Sequence, residues 1–204
     1  KYWKVESESP DYKVTFRGDT AEIVSPKGLT LWRKEKMSGK VTIEYDACVV
    51  SETEKDRLSD LNCFWMASDP KHPDNLWKRE KWRNGIFLNC YSLQLYYMGY
   101  GGNHNSTTRF RRYDGNEAGI TDPQARPAVL KEYTDAEHLL KANHWYHIKI
   151  TNENNRVSYY IDGKRLVDFR DVKPLTEGWF GFRTTLSRTR ITNFRYKCSL
   201  QENP

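Results

Sequence analysis

Between residues 96 and 113 the chain gathers its densest set of polar and aromatic side chains: Tyr96, Tyr97, Tyr100, Gly101, Gly102, Asn103, His104, Asn105, Thr107, Arg109, Arg111 and Tyr113. The Gly101-Gly102 pair lets the backbone turn or come close to a ligand, because glycine tolerates positive φ. After it, Asn103, His104 and Asn105 offer two amides around an imidazole. On a following strand Arg109 and Arg111 share one face, whereas Tyr96 and Tyr97 point to opposite faces, so that at most one of the two can reach a common cleft. Two guanidiniums on one face suit a carboxylate or a sulfate, since each can donate a planar pair of hydrogen bonds.

A sugar acid is one bearer of such a group. Cleavage of a uronate by β-elimination needs its carboxylate neutralised, the C5 proton removed and the leaving oxygen protonated. Arg109, another arginine or an asparagine can meet the first need, His104 or a tyrosine the second, and Tyr100 or Tyr97 the third. Asn62, two positions after Asp60 in SDLNCFW, and Arg183 in GFRTTLS complete the set. Substrate binding then falls to Asn62, Tyr97, Asn103, Asn105, Arg111 and Arg183, and catalysis to His104, Tyr100 and Arg109. The same residues have a plain structural reading as a hydrogen-bonded turn and a solvated strand face. A third reading is a non-catalytic carbohydrate-binding module, in which these arginines and Trp77 and Trp82 hold sugars by charge and stacking.

Other chemistries find less support. No ExDxxE pattern supplies the close carboxylate pair of a retaining glycosidase, and Glu44 and Asp46 read as an outward sheet face. His138, His144 and His147 lie on a loop and an alternating strand with no acid at ligand spacing, which argues against zinc. No cofactor is called for. Aromatic and basic residues do interleave, yet no nucleic-acid-binding motif appears, so the expected partner is an acidic polysaccharide or oligosaccharide and not a nucleic acid.

Strands must position these residues. Period-two alternation recurs over 12–17, 20–25, 29–33, 39–50, 61–67, 85–91, 93–100, 145–151, 156–161, 164–169, 179–185 and 189–200, with an Asp162-Gly163 hairpin turn between two of them. Residues 68–85 read as a surface loop with a helical turn, and 135–142 as a short helix. With 204 residues, 7 Trp, 13 Tyr and 8 Phe, the chain suits one all-β domain over 1–204, a sandwich of two antiparallel sheets with a few short helical turns. The net charge of +6 permits an acidic partner without requiring one. Cys48, Cys63, Cys90 and Cys198 read as buried thiols in strand-like stretches more readily than as bridges. No apolar run is long enough to span a membrane. A chain opening on Lys1 reads as one trimmed after a signal peptide or lipoprotein leader.

Three motifs carry a family likeness: DLNCFW, then GYGGNHNSTTRFRRYD, then WYHIKITNENNRVSYYIDGKRLVDFRDVKPLTEGWFGFRTTLSRTRITNFRY. With GLTLWRKEKMSGKVTIEYDA at the front, nearly the whole chain resembles the concanavalin A-like lectin and glucanase jelly rolls, in particular the YesU-like domains of unknown function from bacterial glycan-utilisation systems. That resemblance implies a concanavalin-like jelly roll and an exported bacterial protein: periplasmic, on the cell surface or secreted. Structural calcium is common in this superfamily, and Asp162 and Asp171 are the acids it would draw on, although no loop has calcium-site spacing. The expectation drawn from residues and resemblance together is a protein acting on a uronate-containing glycan by lyase-type β-elimination, with the binding module as its alternative.

Overall fold

Val41, Ile43, Tyr45 and Ala47 are buried while Lys40, Thr42, Glu44 and Asp46 between them are half-exposed, the signature of a strand with one inward face. The same alternation builds most of the computed structural model, which describes residues 1–54 and 56–199. In chain order the strands are β1 (Trp3–Ser7), β2 (Lys13–Arg17), β3 (Thr20–Ser25), β4 (Leu29–Arg33), β5 (Met37–Ser38), β6 (Lys40–Val50), β7 (Leu61–Ser68) and β8 (Gln94–Gly101). They continue with β9 (Thr107–Asp114), β10 (Lys131–Tyr133), β11 (Tyr146–Glu153), β12 (Arg156–Ile161), β13 (Lys164–Arg170), β14 (Glu177–Thr184) and β15 (Ser187–Ser199).

They form two antiparallel sheets. The front sheet runs β1-β4-β14-β7-β8-β9-β10, with β5 paired to β14, and the back sheet runs β13-β12-β11-β6-β15-β3-β2. Strands from both ends of the chain sit side by side in each sheet, so neither sheet closes until β14 and β15 are in place. The all-β sandwich expected from the alternation is the fold. Asp162 and Gly163 have φ of 49° and 79°, the paired left-handed residues of a type I′ turn.

Between the sheets lies the main core. Cys63, Trp65, Tyr96, Met98, Tyr100, Phe110, Phe180 and Phe182 of the front sheet meet Ile43, Tyr45, Ile148, Ile150, Tyr159 and Ile191 of the back sheet. A second apolar cluster covers half of the front sheet's outer face. There Trp32, Phe64, Leu95, Tyr113 and Trp179 are roofed by Leu76, Cys90, Tyr91 and Leu93 from the insertion between β7 and β8.

Charge pins that insertion. Arg83, wholly buried, donates from Nη2 to Glu6 Oε2 at 2.9 Å and to the Leu76 carbonyl at 2.7 Å. Arg79 donates to Asp69 and to Glu117, both at 2.7 Å. Burial raises the Glu6 carboxyl above its usual value, and the Arg83 charge opposes the rise. Removing one partner of such a buried pair costs about 3–5 kcal/mol, because the other is left charged and unpaired.

Several local expectations change. Residues 85–91 are not a strand: Asn84 and Gly85 take left-handed φ of 46° and 68°, and a 3-10 turn, Leu88–Ser92, follows. The turn lets side chains spaced closer than a strand allows all face down onto the sheet. The helix expected over 135–142 shrinks to one 3-10 turn, Ala136–His138. β1, β5 and β10 were not foreseen; all are short, and β1 and β10 are the edge strands of the front sheet, where little apolar alternation is needed. Leu200, the end of the last expected strand, lies outside the described residues. All four cysteines are free, Cys48, Cys63 and Cys90 buried and Cys198 exposed, and burial pushes the Cys63 and Cys90 thiols up to about 12 and about 11.

Candidate functional site

Register sets the site. Across the front sheet the pairings align Thr30, Arg183, Asn62, Gly99, Arg109 and Glu132 in one row. Two residues further along each strand come Trp32, Gly181, Phe64, Tyr97 and Arg111. The second row is mostly apolar and lies under the insertion; the first is mostly polar and faces an open cleft of about 360 Å³. Asn62, Tyr97, Asn103, His104, Arg109, Arg111 and Arg183 all line that cleft. Seven of the nine residues picked out from the sequence therefore converge on one concavity.

Glycines shape its floor. A Cβ on Gly99 would lie 2.4 Å from the Tyr97 hydroxyl, so the bare backbone there is what lets the Tyr97 ring lean across into the polar row. Burial holds the Tyr97 phenol well above its ordinary value, which keeps it a hydrogen-bond donor. Next to it the Asn62 side-chain oxygen is buried without a hydrogen-bond partner. An acceptor left so in the wall of a cleft is a cost the fold bears unless a ligand or water meets it.

Arg183 closes one end. Only 3% exposed, it donates from Nη1 to the Gly85 carbonyl at 2.6 Å and to Thr30 Oγ1 at 3.4 Å, and its guanidinium lies 5.5 Å from the Phe87 ring centre. A Cβ on Gly28 would come within 2.5 Å of Arg183 Nη2, so the guanidinium is cradled where only glycine leaves room. Arg57 is paired with Asp60 at 2.6 Å and Arg109 with Glu132. Among the described residues Arg111 and Arg183 have no carboxylate within 4.0 Å; Arg111 donates only to the Pro127 carbonyl, at 3.0 Å.

The far rim is a left-handed turn. Asn103, His104 and Asn105 have φ of 50°, 57° and 56°, a conformation that asparagine tolerates but that costs a side chain such as His104 about 1–2 kcal/mol. The turn is tied down by Asn103 Nδ2 donating to Thr107 Oγ1 at 3.1 Å and Ser106 Oγ donating to the Asn103 carbonyl at 2.7 Å. His104 stands exposed upon it, facing the cleft.

Two expected residues are elsewhere. Tyr100 shares the inward face of β8 with Tyr96 and Met98 and is 1% exposed. Its hydroxyl donates to the Leu139 carbonyl at 3.3 Å, away from the cleft, so it cannot protonate a leaving group there. Asn105 spends its amide on the backbone of Leu140, donating at 2.9 Å and accepting at 2.8 Å, which holds the turn rather than a ligand. The sequence reading missed Glu8, Arg57, Phe87 and Tyr91, which also line the cleft. Nothing in the local pattern around Glu8 marks it, but Arg57 and Asp60 lie three positions apart on a loop, a spacing that suits an ion pair.

Calcium fits poorly at Asp162 and Asp171. Asp171 accepts from the Tyr96 hydroxyl at 2.7 Å, Arg112 Nε at 2.6 Å and the Lys173 amide at 2.9 Å, leaving neither oxygen for calcium. Asp162 accepts from the His147 amide at 2.8 Å within its hairpin turn. His138, His144 and His147 each face a different carboxylate, Asp135, Asp162 and Asp46, so they do not share an ion. A wider gap of about 830 Å³ opens between the sheets at the β1 and β2 edge, lined by Trp3, Phe16, Phe194 and Tyr196. Its guanidiniums, Arg33 and Arg195, are paired with Glu35 and Glu44, so it lacks the carboxylate-free guanidiniums of the front cleft.

The sandwich is that of a recognised domain type. The chain belongs to the family described as Domain of unknown function (DUF6250), whose model matches residues 23–194. No curated protein matches it. Among solved structures it is similar to the carbohydrate-binding module CBM66 from Bacillus subtilis, with TM-score 0.62, 14% identity and coverage of 96% of this chain and 95% of that one. A protein of unknown function with a galectin-like fold, also from Bacillus subtilis, gives TM-score 0.74 at 14% identity, covering 98% and 90%. The VIP36 exoplasmic/lumenal domain in its Ca2+/Man2-bound form gives 0.66 at 10% identity, covering 100% and 83%. These likenesses establish the lectin-like fold and give no evidence for the YesU-like label specifically.

Proposed function

We propose that the domain binds carbohydrate in the front cleft, and that the bound sugar carries an anionic group. The observation that carries this reading is the pair of cleft-facing guanidiniums without a carboxylate, Arg111 and Arg183, beside the unpaired Asn62 oxygen and the Tyr97 phenol. A buried arginine without a counter-ion is expensive, and a carboxylate or sulfate supplied by a ligand removes that expense with charge-assisted hydrogen bonds. Support for sugar as the bearer comes from the fold's likeness to a carbohydrate-binding module and to a domain solved with Man2. Such glycans are met outside the cytoplasm, so the reading includes export, which cell fractionation tests.

Affinity electrophoresis through gels containing polygalacturonate, alginate, chondroitin sulfate or a neutral glucan tests the binding. Retention on an anionic polymer, weakening as salt is added, is the expected result. Free migration through all the anionic gels would overturn it.

A second reading, β-elimination of a uronate, is favoured by one observation: His104 and Tyr97 line the same cleft. With Tyr100 in the core, Tyr97 is the one of the two expected tyrosine donors left in the cleft, and His104 is the base. The test is the ultraviolet absorbance of an unsaturated uronate after incubation with the retained polymer; none appears if the domain only binds.

A further inference from the structure

Burial deepens toward one end of the cleft. Along the polar row the side chains become progressively more buried from β9 toward β4: Arg109 is half-exposed, Asn62 is 7% exposed, Arg183 3% and Thr30 0%. What covers the β4 end is the turn at Gly85 within the insertion. Gly85 packs so closely on the strand-edge loop that a Cβ there would lie 2.6 Å from the Glu8 amide nitrogen and 2.8 Å from the Gly28 carbonyl. Its own carbonyl takes the Arg183 hydrogen bond. On the long side, Phe87 and Tyr91 stand as a wall, with ring centres 5.9 Å apart. Opposite them the left-handed turn and the Arg57–Asp60 pair form the other wall. A polymer laid across the strands cannot continue past Arg183, because backbone occupies that path.

We infer that the cleft takes the end of a glycan chain, not an internal stretch. The terminal sugar sits against Arg183 and Asn62, and the rest of the chain leaves over Arg109 toward solvent. This rests on the carbohydrate-binding reading and adds to it which part of the polymer is recognised. The size agrees: about 360 Å³ lies at the lower end of the range for small-ligand pockets, about 300–1,000 Å³.

Chain ends and internal residues scale differently with polymer length, which makes the test independent of any variant's folding. The anionic polymer best retained in the gels is cut to a series of defined lengths, and binding sites per gram are measured by calorimetric titration of the native protein. For end recognition the sites per gram double each time the mean length is halved. Sites per gram that stay constant as the chains shorten would overturn end recognition while leaving carbohydrate binding in place. Failure of every polymer to bind at any length would instead overturn the carbohydrate reading, and this inference with it.

Discussion

Two buried arginines in this fold should answer the same substitution in opposite ways. Arg83 is fully buried and ion-paired with Glu6 at 2.9 Å; Arg183 is 3% exposed and has no carboxylate within reach. Changing Arg83→Met strands the Glu6 carboxylate in the interior and should cost about 3–5 kcal/mol of stability. Changing Arg183→Met removes a charge that no carboxylate of the described residues contacts within 4.0 Å. The loss of the hydrogen bond to the Gly85 carbonyl, about 1.5–3 kcal/mol for a charged donor, is offset by relief of the desolvated charge, leaving a net change within about 2 kcal/mol. Binding behaves differently. If Arg183 meets the anionic group of the ligand, its loss should remove about 1.5–3 kcal/mol of affinity, or about 10- to 150-fold in Kd. Urea unfolding followed by tryptophan fluorescence gives the stabilities, and calorimetric titration with an oligosaccharide of the retained polymer gives the affinities. The reasoning is refuted if Arg183→Met binds as tightly as the native protein, or if it destabilises as strongly as Arg83→Met.

Three further outcomes follow from single features. Gly99→Ala places a methyl 2.4 Å from the Tyr97 hydroxyl, so the ring must swing off the cleft floor; a stability loss of about 1–3 kcal/mol should come with weaker binding in the same titration. His104→Gly relieves a left-handed residue at φ 57° and should raise stability by about 1 kcal/mol in urea unfolding while weakening sugar retention in gels; unchanged retention would remove His104 from the site. Hydrogen bonds from Arg190 and from Lys71 hold the Glu22 and Glu117 carboxylates below their usual value of 4.5. The stability they give is therefore present above that pH and lost as the pH falls through their lower folded values, so Tm measured from about pH 6 down to about pH 3 should fall less steeply in Glu22→Gln than in the native protein.

Much of this site was legible because strand faces follow a period of two. Alternation alone put Arg109 and Arg111 together and set Tyr96 against Tyr97, and the structure has both relations, with Tyr97 in the cleft and Tyr96 in the core. The same rule spoke against Tyr100: three residues from Tyr97, it had to face the other way. Choosing it for its hydroxyl ignored its place on the strand. Asn105 failed for a different reason, since its partner Leu140 lies 35 residues on and no local pattern announces a side chain that mimics a backbone pairing. The stretch 85–91 failed because a short apolar run looks alike whether it is a strand or a tight turn pressed onto a sheet.

That misread stretch is also where fold and site depend on each other most. The outer row Trp32, Phe64 and Tyr97 is too aromatic to leave in water, so something must cover it; the insertion does so, held by Arg83 on Glu6. Covering half of the face leaves the polar half as a cleft and walls it with Phe87 and Tyr91. Two residues past Arg83, Gly85 turns its carbonyl to Arg183, so the residue that secures the cover also fixes where the free guanidinium points. Arg83→Met should therefore lose affinity along with stability, whereas Arg183→Met loses affinity alone.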